Sequence, residues 1–315
     1  MRLVPMALYT VNDGRPRLAQ ELLDFILDHL HYDPKTLKQC ALASRSLLPT
    51  CQCHLFSSFE ISKSNVYELV ELFTPPDVGQ DDEDAPLRTG VADLLNTYTT
   101  DLTLATYSDI EFKAAFKSPH LPGFKNVQNI VFKGETLQSS VRVPSFLEGT
   151  WTSPNSGIRS AGFNFKLMSG EAILLSLCTL PATVENVSVT CANSDGYNNL
   201  SAISVSKTIK NRHWNTPADQ VVRHFGGTLR LHLAPYVSHE RLLSAMLELK
   251  DLFKFNPKRI KYRLTKRSDI PPFASLLNDC KATLQSLDLT CMDLGAQPDA
   301  VTLDFESNNQ LHPIR

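Results

Sequence analysis

Seven basic residues fall between positions 253 and 267, in FKFNPKRIKYRLTKR, interleaved with Phe253, Phe255 and Tyr262. Cations beside aromatic rings can grip a nucleic-acid strand, the charges tracking phosphates and the rings stacking on bases. The spacing favours another chemistry. Ile260, Tyr262 and Leu264 alternate with Lys261, Arg263 and Thr265, the pattern of a strand with one buried face and one solvated cationic face. A face of that kind is either a solvated surface or one that binds acidic protein. The formal net charge of the whole chain is -2, which argues against a general polyanion binder, so nucleic acid is not an expected partner.

Cys51, Cys53 and His54 form the one compact group of soft metal ligands in the sequence. Zinc sites want four ligands, with two or more residues between paired cysteines, and a single intervening residue does not fit. No metal is expected. Cys178 or Cys280 could pair with one of nine histidines as a nucleophile and its base, yet both cysteines lie in apolar helical stretches where they fit as small buried hydrophobes. The chain has no phosphate-cradling glycine loop, nucleophile elbow or HExxH helix. These residues predict a non-catalytic chain without a cofactor.

The elements that must position the basic face are short alternating strands separated by helices. DLTL at 101–104, VQNIVF at 127–132, GFNF at 162–165, VENVSV at 184–189, TLRLHL at 228–233, IKYRL at 260–264 and LQSLDL at 284–289 read as strands. Helical patterns span 168–180, 217–225 (closed by Gly226 and Gly227), 238–253 and 271–280. Three strands carry the apolar-x-x-apolar-x-apolar spacing that resembles leucine-rich repeats: Val127/Ile130/Phe132, Val184/Val187/Val189 and Leu284/Leu287/Leu289. The intervals are uneven, and the position three beyond each strand, where that family uses Asn or Cys, holds Tyr107, Glu135, Met168, Ala192, Tyr236, Arg267 and Met292. The expectation is a degenerate solenoid with an irregular insertion near 193–216; a single compact α/β domain is the alternative. If the strands stack in parallel, Thr103, Val131, Asn164, Ser188, Arg230, His232, Lys261, Arg263 and Asp288 face outward, neutral early and largely basic late. Arg230, His232, Lys261, Arg263 and Asp288 are thus the candidate substrate face.

Ahead of these strands, residues 18–56 carry more apolar helical surface than so short a segment can bury against itself. Leu18, Leu22, Ile26 and Leu30 recur every fourth residue, Leu23 and Leu27 lie alongside, and Phe25 points to another face. Asp33 and Pro34 then supply an N-cap and a first-turn proline for a second helix through Leu37, Cys40, Ala41, Ser44 and Leu48, which Pro49 stops. Phe56 to Ile61 alternates as a short strand, and a further helix carries Val66, Leu69, Val70 and Phe73 before the acidic loop around Asp81 to Asp84.

The 18–56 stretch resembles an F-box: Leu18, Glu21, Leu22, Ile26, Leu30 and Arg45 match the family pattern, while Ala19 stands where the family has proline and Leu47 where it usually has tryptophan. The resemblance implies a three-helix module that docks a Skp-type linker, and through it a cullin-based ubiquitin ligase, by way of Leu18, Glu21, Leu22, Ile26, Leu30 and Pro34. The remainder of the chain would then select an unidentified protein substrate as the recognition subunit of an SCF-type ligase. The alternative is a repeat-like interaction scaffold that joins no ligase. The resemblance also points to the large F-box families of mushroom-forming fungi.

The expected organisation is a tail at 1–17, the F-box-like module at 18–61, a connecting helix and acidic loop at 62–97, and the α/β, leucine-rich-repeat-like receptor at 98–315. A hydrophobic content of 42% with 20% charged residues suits a soluble globular protein. Seven scattered cysteines do not make a secreted disulfide framework, the N-terminus is poor as a signal peptide, and no segment is long enough to span a bilayer. The cytoplasm or nucleus is the expected location. The chain closes at LHPIR without an evident polar capping helix, which leaves a longer natural array and a truncated chain both open.

Overall fold

The computed structural model describes residues 9–10, 16–17, 20–74, 85–105, 124–137, 157–178, 180–193, 200–211, 223–234, 238–249 and 253–291. Two short antiparallel strands, β1 (Tyr9–Thr10) and β2 (Pro16–Arg17), precede three helices: α1 (Gln20–His29), α2 (Pro34–Ala43) and α3 (Leu48–Phe56). Asp33 caps α2, its carboxylate accepting from the Thr36 amide at 3.1 Å and the Thr36 hydroxyl at 2.7 Å, and these bonds hold its pKa below the ordinary value. Pro34 occupies the first turn, where its missing N–H costs nothing. Pro49 does not stop α2, which ends at Ala43; it stands in the first turn of α3, for the same reason. The three helices close on a small core of their own, Leu27, Leu37 and Cys51, with Leu30, Cys40, Ala41, Leu47 and Leu55 packed around it.

Only Ser57 separates α3 from β3 (Ser58–Ile61), the first strand of an eight-stranded sheet. The sheet continues with β4 (Asp101–Leu104), β5 (Asn129–Leu137), β6 (Ser160–Met168), β7 (Asn186–Asn193), β9 (Thr228–His232), β11 (Arg259–Leu264) and β12 (Ser286–Cys291), lying side by side in chain order. Every pairing in it is parallel. All seven strands expected beyond residue 98 are in this sheet. It begins forty residues earlier than that expected boundary, however, because Ile61 joins the same core as Leu102 and Leu104.

The connections between strands carry α4 (Val66–Phe73), α5 (Ala85–Tyr98), α6 (Gly170–Cys178), α7 (Ala202–Asn211), α8 (Glu240–Glu248) and α9 (Ile270–Cys280). Buried side chains of α4, α6, α8 and α9 share one core with the inward side chains of the strands, including the stacked rings of Phe132 and Phe163, whose centroids are 5.5 Å apart. A parallel sheet covered on both faces would be apolar on both. Here each strand alternates instead: Ile260, Tyr262 and Leu264 are buried while Arg259, Lys261 and Arg263 are exposed. The helices therefore cover one face, and the other stays polar.

Two expected helices end differently. Residues 217–222 lie outside the described residues, and Arg223–Phe225 is not helical but a strand, β8, paired in parallel with β10 (Phe253–Phe255), where the helix expected over 238–253 was to finish. Phe225 and Phe255 are both buried, so three residues suffice to bring an aromatic anchor into the core. The expected irregular insertion near 193–216 contains the regular helix α7. Gly227 does not close a helix. It lies where the Thr228 amide donates to the Glu185 carbonyl at 2.7 Å, and a Cβ there would overlap that oxygen and come within 2.5 Å of the Glu185 carbonyl carbon.

Candidate binding surfaces

The polar sheet face is organised in rows by the register. One row runs Glu60, Thr103, Val131, Gly162, Ser188, Arg230, Lys261, Asp288. The next contains Lys133, Asn164, Thr190 and His232, so Asn164 shares the expected face but lies one row away from Val131 and Ser188. Charges on the early half are matched: Lys133 pairs with Glu60 at 3.4 Å and Lys166 with Glu135 at 2.8 Å.

The late half differs. Arg230, His232, Lys261 and Asp288 line a single open basin of about 450 Å³, together with Thr228, Arg259, Ile260 and Ser286. Arg263, the fifth expected substrate-face residue, is exposed two positions along β11 from Lys261 and does not line the basin. Arg259 was missed because the expected strand began at Ile260, although the same alternation, extended back by one residue, puts it on the outward side. Lys261 donates to Asp288 at 2.8 Å. Among the described residues no carboxylate lies within ion-pairing distance of Arg230, Arg259 or Arg263. Partial desolvation, then the charges of Lys261, Arg263 and Arg230, lower the pKa of His232, and Asp288 opposes them. Two aromatic rings of the basic string, Phe255 and Tyr262, are buried in the core and do not reach this surface.

Behind the basin, a buried polar network joins the turn after β9 to the turn after β11. His239 has no solvent exposure; its Nε2–H donates to the Ala234 carbonyl at 3.0 Å, so its Nδ1 accepts from the Tyr262 hydroxyl at 2.7 Å. Burial lowers the pKa of this imidazole and keeps it neutral. Asp269, also fully buried, accepts from the His239 amide at 2.7 Å, Ser238 Oγ at 2.9 Å, Thr265 Oγ1 at 2.9 Å and the Lys266 amide at 3.1 Å. Neither His239 nor Asp269 was singled out in the sequence. Their one legible signal is that they stand 30 residues apart, about the interval between neighbouring strands.

The second surface is on α1. Ile26 is 44% exposed, and Phe25, expected on another face, is 58% exposed beside it. Leu22 is half-buried, Glu21 and Pro34 are exposed, and Leu18 lies outside the described residues. Leu30 departs from the expected stripe, because it packs against the internal Leu27–Leu37–Cys51 core. Leu42 on α2 is 89% exposed.

No protein-family model, curated protein or solved structure matches this chain. The remaining candidate chemistry is read from geometry alone. Cys51 is buried, which pushes its thiol pKa up, whereas Cys53 is exposed and half-buried His54 contacts Asp28 at 2.9 Å. The three do not converge on one point. Cys280 is buried, its pKa pushed up to about 12 by burial and by Asp279, and its thiol donates to the Phe255 carbonyl at 3.2 Å. It is protonated at neutral pH and a poor nucleophile. No helix among the described residues is long and apolar enough to cross a membrane.

Proposed function

We propose that this protein is the substrate-recognition subunit of an SCF-type ubiquitin ligase, with α1 to α3 acting as an F-box that docks a Skp-type linker and the following body, a degenerate leucine-rich-repeat-like solenoid, holding a protein substrate. One observation carries the reading. Three helices complete a small core separate from the main one and still leave Phe25, Ile26 and Leu42 in solvent, while a single residue fixes them to the first strand of a long polar sheet. Large apolar side chains left in solvent on so small a unit support a partner surface there. The chemistry expected of it is binding, with the ubiquitin transfer done elsewhere in the ligase.

Co-purification of the full chain with a Skp-type linker tests the proposal. Wild type should retain the linker, and Ile26→Asp should lose it, since burying an unpaired carboxylate in an apolar contact costs several kcal/mol, about enough to abolish a micromolar complex. Ile26 is too exposed for the change to unfold the module, which circular dichroism checks. A wild-type chain that fails to bind removes the ligase reading and leaves the interaction scaffold in its place.

A further inference from the structure

We propose that the basin on β9, β11 and β12 binds an acidic peptide segment in extended form, with carboxylates at alternate positions. This rests on the sheet face being the receptor surface, and it gives that receptor a substrate class.

Arg259, Lys261 and Arg263 follow one another along β11 at alternate positions, a spacing of about 6.6 Å between outward side chains. An extended peptide presents its own same-side residues at that spacing. Arg230 stands beside Lys261 in the same row, so a peptide laid along β11 meets cations on two neighbouring strands. Arg230 and Arg259 retain the planar fork that takes a carboxylate through two parallel hydrogen bonds, and no carboxylate among the described residues is in reach of either. Thr228 and Ser286 flank Arg259 in register and supply hydroxyls for peptide backbone groups.

Other anions fit less well. A nucleic-acid strand would want exposed Phe, Tyr or Trp rings to stack on, and the basin lining holds none of these, His232 being its one ring, while Asp288 repels a continuous phosphate backbone. A lone phosphate spans too little of a cation column that extends about 13 Å along β11. Asp288 is the resident competitor, since it occupies Lys261 until an incoming carboxylate displaces it. His232 faces Arg230 on its own strand, Lys261 and Arg263 on β11, Asp288 on β12 and uncharged Thr190 on β7. A bound carboxylate would favour its protonated form, so binding takes up a proton.

The test is fluorescence anisotropy on the full chain with a labelled peptide carrying Glu at alternate positions, its Gln counterpart, a single-stranded oligonucleotide of the same length, and inorganic phosphate as competitor. The Glu peptide should bind and the Gln peptide should not. Arg230→Gln and Arg259→Gln should each weaken binding about three- to tenfold, and Asp288→Asn should tighten it about two- to fivefold by freeing Lys261. Equal binding of the Gln peptide, tighter binding of the oligonucleotide, full displacement by phosphate, or no gain from Asp288→Asn overturns the proposal. A protein that holds the linker but not the peptide sinks this proposal alone; one that holds the peptide but not the linker sinks the ligase reading alone.

Discussion

Replacing Asp269 with alanine should destabilise the C-terminal half of the sheet by about 2–5 kcal/mol. The side chain is fully buried and accepts from two backbone amides, His239 and Lys266, and from the hydroxyls of Ser238 and Thr265. Alanine offers none of these donors an acceptor. The hydroxyls can turn to other partners, but the two amides are fixed by their backbones, and a buried donor left unpaired costs about 1–3 kcal/mol. Removing a buried carboxylate also relieves its desolvation, which keeps the net loss near the lower half of that range. Asp269→Asn is the control: its side-chain oxygen can still accept, so it should lose about half as much. Urea unfolding followed by far-ultraviolet circular dichroism gives both values from the shift in midpoint, with the slope reporting whether the same surface is exposed. A loss below about 1 kcal/mol for Asp269→Ala with an unchanged slope would mean that the network does not hold the two turns together, and the reasoning fails.

Gly227→Ala should drive β9 away from β7, because the added Cβ meets backbone at Glu185 and no side chain can yield; a cost of about 3 kcal/mol, visible as a lowered Tm, is expected, and an unchanged Tm refutes it. His239 adds a pH dependence: its folded pKa lies below the ordinary 6.5, so the unfolded chain takes the proton first. Its contribution is complete above about pH 6.5 and is lost as the pH falls from there through the folded value. His239→Gln should therefore be less stable at neutral pH and show a smaller loss between about pH 7.5 and about pH 5.5, read from urea midpoints at each pH.

The strands of the main sheet were legible because one of its faces is wet. Leu229 and Leu231 against Arg230 and His232, or Ile260 and Tyr262 against Lys261 and Arg263, display the two-residue period directly. The β8 and β10 strands were not, since three residues are too few to show a period and PADQVVRHF carries a helix-like spacing that the backbone does not follow at its end. The α5 helix was passed over because Pro86 and Gly90 follow the acidic run and look like continued loop. On α1 the fourfold spacing was visible, but which leucine turns inward is decided by α2 and α3; Leu30 goes to the internal core for that reason. The basin was half legible: alternation put its residues on one face, whereas their convergence depends on register, which no single strand encodes.

The strands of the main sheet lie in chain order, each pairing only with the members of that sheet that precede and follow it, while β8 and β10 pair with each other outside it. On the proposed solenoid reading, a disturbance passes from neighbour to neighbour along the sheet, as in stacked arrays generally. Seven strands of the sheet separate α1 from β12, so on the proposed reading a substitution in the basin leaves the linker-docking face of α1 untouched. The two ends of the chain are free to answer to different selective pressures.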